Sequence, residues 1–304
     1  MLVVPEVFAE ATVLREGTAG RAWLDKLPLI AERAYHRWEC TPDGAAWHGQ
    51  VALVIPVQHV DGPAALKISF PHDGNRGEAD ALRCFNGRGA VRLIEADESQ
   101  FAVLMERAGS LTLADRLSRA SGLAVEEALE IAGDLARTLA VPASPAIISL
   151  ASTTAEWEKE FEHQLALAPS RLPERAIAQA RGTIRHLAED ATPAMLHGDL
   201  HFGNILRSRR RESWLTIDPK GWSGPLAWDA FTVIAGQREE LQQHSDISRG
   251  VSDRIRRFCA AAGIEPDLAL ACCQARAVSA YLYQHIITGA WFDLEFLRAL
   301  AQPN

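Results

Sequence analysis

The stretch MLHGDLHFGNIL at 195–206, followed by WLTIDPKG at 214–221, decides how the chain is read. It sets His197, Asp199 and Asn204 at H-x-D-x4-N spacing between apolar, strand-like runs, and the second run ends on Asp218. Phosphoryl transfer needs a carboxylate that orients an acceptor hydroxyl, and hard oxygen donors that hold Mg²⁺ against nucleotide phosphates. Asn204 and Asp218 fit the second demand, which leaves Asp199 for the first. The spacing alone arises by chance in roughly a few per cent of chains this long. Its placement between strands therefore has to be joined to something upstream.

That upstream residue is Lys67, in the strand-like run AALKISF at 64–70. Alternation puts Lys67 on one face with Ala65 and Ser69, and Leu66 and Ile68 on the other. An ammonium there reaches the phosphates of ATP, whereas a lysine on an edge strand would only discourage aggregation. Glu78 opens a short helix eleven residues on and is placed to hold that ammonium; it also suits a helix N-terminus for its charge alone. Met105, Glu106 and Arg107 end a further strand where the composition shifts, and backbone groups there are candidates to read an adenine edge. Lys220, beside Asp218, either touches a phosphate or faces solvent. The triplet His197-x-Asp199-x-His201 also permits a zinc hydrolase, but that reading leaves Lys67, Asn204 and Asp218 without a role. A non-catalytic nucleotide-binding protein is the other alternative, but it has no need of Lys67, Asp199, Asn204 and Asp218 together. The basic run at 207–211 reads as a solvated hairpin turn rather than a nucleic-acid patch.

Around these residues the chain is α+β. Helical spacing over 19–38 is interrupted by Pro28, which predicts a kink there or two short helices. VALVIPV at 51–57 and AALKISF, parted by Asp61-Gly62-Pro63, predict a hairpin. Residues 90–97 and 101–107 predict another strand pair. Helices follow over 125–140, from a capping box at Thr153-x-x-Glu156, after Pro173, and over 266–288. A β-rich unit at 1–107 and a mainly helical unit at 108–304 result. With 48% hydrophobic and 23% charged residues the chain is neither disordered nor a disulfide scaffold, and its net charge of −8 argues against nucleic-acid binding. Five cysteines without a C-x-x-C pair, no basic N-terminal leader and no long apolar run predict a cytoplasmic protein away from the membrane.

The chain resembles the aminoglycoside phosphotransferases, relatives of the protein kinases, and within them the streptomycin 6-phosphotransferase and hydroxyurea resistance kinase branch. GRAWLDKLP at 20–28, LKI around Lys67, GAVRLIEAD at 89–97, LHGDLHFGNIL at 196–206 and IDPKG at 217–221 carry the likeness. It implies a two-lobed protein-kinase-like fold with a small antiparallel-sheet N-lobe and a larger helical C-lobe. It also implies ATP and Mg²⁺, with Asp199 as catalytic aspartate and Asn204 and Asp218 as metal ligands. Lys67 would hold phosphate with Glu78 as its partner. His197 and Asp229 would brace the loop. The implied acceptor is a cationic aminoglycoside, streptomycin first, with hydroxyurea or another small hydroxylated metabolite as the alternative, met by a monomer or weak homodimer. Glu239, Glu240, Asp246, Asp293 and Glu295 are candidates to pair with guanidinium groups. Two departures stand out: no glycine-rich G-x-G-x-x-G loop, and Asp-Pro-Lys at 218–220 where kinases carry Asp-Phe-Gly.

Overall fold

The computed structural model of the chain describes residues 2–118, 124–167, 172–210, 213–236, 241, 246–286 and 294–301. Its N-terminal part is built on β1 (Thr41–Pro42), β2 (Trp47–His48), β3 (Ala52–His59), β4 (Gly62–Ser69), β5 (Leu93–Asp97) and β6 (Ala102–Glu106). They pair antiparallel in the order β1-β3-β4-β6-β5, with β2 also on β3. The two-residue alternation splits the sheet into two faces. Leu53, Ile55, Leu66, Ile68 and Leu104 pack with Trp23, Leu27 and Ile30 of α1 (Glu6–Arg37). Ala65, Val103 and Met105 pack on the other side with Leu82 and Phe85 of α2 (Glu78–Phe85). Fully burying a Leu or Phe contributes about 1.5–3 kcal/mol, so this double coverage holds the strand that carries Lys67 in place.

Two local expectations shift. Helix α1 starts at Glu6, and its break falls at Gly17, where φ is +60°, while Pro28 stays inside the helix. Glycine alone reaches that conformation at no steric cost, so the chain bends there.

The helical part comprises α3 (Leu113–Ser118), α4 (Val125–Leu139), α5 (Leu150–Leu167), α6 (Glu174–Ala188), α7 (Ala230–Ala235), α8 (Ile247–Ala262), α9 (Pro266–Ile286) and α10 (Leu294–Ala301). Phe161, Phe202, Phe231, Phe258 and Phe296 anchor one continuous core among them. Helix α5 begins before the expected capping box. Thr153 lies in its first turn and donates its hydroxyl to the Leu150 carbonyl instead of capping, a local bond open to any threonine near a helix start.

The chemistry-bearing stretch runs through β8 (Met195–Leu196), the hairpin β9 (Ile205–Arg207)–β10 (Trp214–Thr216), and β11 (Trp222–Ser223). Strand β11 pairs with β8 and with β7 (Ile148–Ser149). The hairpin is bolted to the sheet side. Thr216 N–H donates to Gly89 O at 2.8 Å, Val91 N–H to Thr216 O at 3.0 Å, and Gly109 N–H to Arg207 O at 2.7 Å. Arg210, expected to be solvated, pairs with Glu106 at 2.6 Å and donates to the Gly87 and Ala90 carbonyls.

Candidate active site

Lys67 sits on a central strand, flanked by β3 and β6, which removes the edge-strand explanation for it. Its side chain is buried, and Nζ lies 2.8 and 2.7 Å from the two carboxylate oxygens of Glu78 and 2.9 Å from Asp218 Oδ1. Burial alone would lower the ammonium's pKa; Glu78 and Asp218 outweigh it and raise the value, so Lys67 stays charged. Glu78 is only 5% exposed, which is costly for a charge unless it is paired. Its position in α2 is therefore set by Lys67 and not by the helix terminus alone.

What brings α2 this close is a contact between glycines. A Cβ on Gly77 would lie 2.5 Å from the Lys220 carbonyl, and one on Gly221 would lie 2.5 Å from the Gly77 carbonyl. Between them, Asp218 adopts φ +61° just before Pro219, a conformation that few non-glycine residues take and that a following proline disfavours. Burial would raise the Asp218 carboxyl, but the ammonium groups of Lys67 and Lys220 hold it well below the usual carboxylate range.

The loop carrying Asp199 is fixed from beneath. The backbone N–H groups of His197 and Gly198 donate to the two oxygens of Asp229 at 2.9 and 2.7 Å. His197 Nε2–H donates to the Ile217 carbonyl at 2.9 Å, while Nδ1 accepts from Asp199 N–H at 3.3 Å. That pair of bonds requires the neutral ring, and burial pushes its pKa down to about 3. Asn204 Nδ2 donates to the Asp199 carbonyl at 3.0 Å, which leaves the amide oxygen for a ligand. Arg276 on α9 was not singled out by sequence; it is stacked over the Trp228 and Phe231 rings at 4.4 and 4.5 Å, on either side of Asp229. An arginine within a helical repeat carries no sequence signal of such a role.

A cavity of about 440 Å³ opens between the sheet and the hairpin, with Val54, Ala65, Met105 and Ile217 in its apolar wall and Lys67, Asn204 and Asp218 at its polar end. Asp199 is not part of that wall; it stands beside it, 3.9 Å from the Lys220 ammonium. Met105, Glu106 and Arg107 all line the cavity. However, Glu106 N–H already donates to Arg92 O and Arg107 N–H to Pro63 O, so those two donors are engaged within the sheet. The next one, on Ala108, also borders the cavity and has no acceptor among the described residues.

Both ring nitrogens of His197 are engaged in protein hydrogen bonds, and His201 Nδ1 accepts from Gly203 N–H. Among the described residues no cluster of three His, Cys, Asp or Glu side chains forms, so the zinc alternative lacks a ligand set. An apolar slot that ends in an ammonium, a carboxylate and an amide oxygen does fit a magnesium nucleotide: the donors are hard oxygens and the cation suits phosphate. Of the expected acceptor carboxylates, Asp246 caps α8 by accepting from Arg249 N–H, and Glu295 lies in the first turn of α10. Glu239, Glu240 and Asp293 lie outside the described residues.

Fold and site together define a two-lobed, protein-kinase-like phosphotransferase that acts on a hydroxyl group. The chain belongs to the aminoglycoside/hydroxyurea antibiotic resistance kinase family, whose sequence model matches residues 37–286. It is 30% identical to a streptomycin 6-kinase of Streptomyces glaucescens over 305 residues, covering 100% of this chain and 94% of that one. It is 36% identical to a hydroxyurea phosphotransferase of Kitasatospora aureofaciens, covering 82% and 73%. Among solved structures, a choline/ethanolamine kinase family protein from Mesorhizobium loti superposes with a TM-score of 0.54 at 17% identity, covering 90% and 91%. A thermostable mutant of aminoglycoside phosphotransferase APH(4)-Ia, in ternary complex with ADP and hygromycin B, gives 0.52 at 14%, covering 89% and 95%.

Proposed function

We propose that the protein transfers the γ-phosphoryl group of ATP to a hydroxyl of a cationic aminoglycoside, with a streptomycin-like aminocyclitol as the leading acceptor. The observation that carries this is the charge cluster: Lys67 tied to Glu78 and Asp218 at 2.7–2.9 Å, with Asp199 held next to it through Asn204. In this reading, residues 1–107 form the nucleotide lobe and residues 108–304 the catalytic and acceptor lobe. The adenine enters the apolar end of the cavity, where Ala108 N–H rather than the Glu106 or Arg107 donor meets its edge. Lys67 binds phosphate oxygens and Glu78 keeps its ammonium in place. Asn204, through its amide oxygen, and Asp218 are the residues that would hold Mg²⁺, which when bound offsets the charge on the phosphate oxygens. Asp199 orients the acceptor hydroxyl and takes its proton. Such catalysis is mainly positioning and electrostatics.

The similarity to streptomycin 6-kinases along nearly the whole chain supports the aminoglycoside acceptor. The family description and the hydroxyurea phosphotransferase relative support hydroxyurea as the second acceptor to test. A coupled ADP-release assay against streptomycin, other aminoglycosides, hydroxyurea and simple hydroxylated metabolites decides between them. The reading predicts acceptor-dependent release that is fastest with streptomycin; saturable release only with a non-aminoglycoside metabolite would overturn the aminoglycoside assignment.

A further inference from the structure

Lys220 is the charged residue of the cluster to which the transfer above gives no task. It does not face solvent: its side chain is 22% exposed, and Nζ lies 3.0 Å from Asp218 Oδ1 and 3.9 Å from Asp199 Oδ2. The rest of the residue is fixed. Its N–H donates to the His197 carbonyl at 2.8 Å, and its carbonyl packs on Gly77. Its stem lies over Gly198, where a Cβ would come within 2.9 Å of the lysine's own Cβ. Gly198 has φ +83°, so two features of that position exclude a side chain, and both leave room for the Lys220 stem.

Asp218 Oδ1 thus accepts from two ammonium groups. Lys67 is anchored a second time by both oxygens of Glu78, whereas Lys220 has only the looser approach to Asp199. If Asp218 is to hold a metal ion, Lys220 is the cation that gives way. It lies between the carboxylate assigned to the acceptor hydroxyl and the one assigned to the metal, which is the path of the transferred group. We infer that Lys220 is a second phosphate-binding ammonium, which leaves Asp218 for an oxygen of the γ-phosphoryl group and stays with it through transfer. This inference rests on the phosphoryl transfer proposed above. The acceptor oxygen bonds to phosphorus as the bridging P–O bond breaks. The electron pair leaves with ADP and the hydroxyl proton goes to Asp199. Lys220 keeps its own protons throughout and contributes charge alone.

The test is calorimetric binding of Mg–ADP and of the Mg–ATP analogue AMP-PNP to the wild type, Lys220→Met and Lys220→Gln, with melting temperatures recorded alongside. A lost charge-assisted bond to the γ-phosphoryl group should weaken AMP-PNP by about tenfold or more, with ADP changed by less than about threefold. A structural role would weaken both nucleotides equally. An unchanged AMP-PNP/ADP ratio in both variants overturns the inference and leaves the proposed function standing. A wild-type protein that binds neither nucleotide overturns both. If the methionine variant does not fold, the glutamine variant, which keeps a polar tip, decides.

Discussion

His197 and Asp229 are buried titratable partners whose pH effects have opposite signs. His197 stays neutral in the fold, with its pKa down from 6.5 to about 3 through burial. As pH falls below about 6.5 the unfolded chain takes up a proton that the folded chain refuses. Stability present above that pH is therefore lost toward pH 3, by up to about 5 kcal/mol. Asp229 is pushed up from 3.8 to about 6 by burial, against the pull of its two backbone donors. It holds a proton that the unfolded chain has released, so its contribution is present below about pH 4 and lost as pH rises through 6. Melting curves between about pH 4 and 8 should show His197→Gln flattening the acid limb, since glutamine can donate and accept as the ring does. The wild type should lose stability relative to Asp229→Asn as pH rises. An acid limb as steep in His197→Gln as in the wild type would show that the ring is not kept neutral. At this scale the sequence is informative where spacing encodes geometry. The H-x-D-x4-N turn and the strand lysine locate residues that the fold does bring together. Lys220 was ambiguous because a lysine after a proline looks the same whether it is solvated or clamped; only the backbone of Gly77 and the space over Gly198 distinguish the two.

Among the elements, α2 and the turn at 218–221 depend on each other through Gly77 and Gly221. Gly77 has φ −79°, which alanine tolerates, so Gly77→Ala tests the close approach without backbone strain. Its methyl group would push α2 off the Lys220 carbonyl and lengthen the Lys67–Glu78 contact. The expected result is a loss of about 1–3 kcal/mol in chemical denaturation together with a raised KM for ATP; an unchanged KM would mean that the contact does not position Glu78. Gly182 is a contrasting case. It lies within α6, exposed, with nothing within 4 Å of a Cβ. Gly182→Ala should raise stability by roughly 0.5–1 kcal/mol, read from the denaturation midpoint. Periodicity revealed the hairpin, α2 and α4, because each buries one regular face. It misplaced the bend in α1 and the start of α5, since a glycine conformation and a threonine's choice of hydrogen-bond partner follow from tertiary contacts rather than from local pattern.

At the scale of the molecule, the cavity is walled by β-strands on one side and by the β9–β10 hairpin on the other, and those walls are joined by the bonds of Thr216, Val91 and Arg210. A ligand that touches both walls stabilises both. Mg–ATP at about one hundred times its Kd should add about 2.7 kcal/mol to unfolding, visible as a single shifted melting transition. A shift confined to an early, partial transition would mean that the two walls unfold separately. The order of sheet then helices was legible because β-branched, alternating runs give way to helical spacing near residue 108. The packing of α1 across the back of the sheet was not, since an amphipathic helix does not name the surface it covers. Nor was the Ala108 N–H, which has no acceptor among the described residues, because the sheet register decides which N–H groups are engaged.

The most direct test pairs turnover with affinity in Asp199→Ala, using the best acceptor and calorimetric binding of Mg–ATP. Asp199 is not among the residues that line the cavity. The substitution should therefore lower kcat by about a hundredfold or more and leave the Kd for ATP within about threefold. Turnover close to wild type would contradict the convergence of Lys67, Asp199, Asn204 and Asp218 on a single transfer reaction.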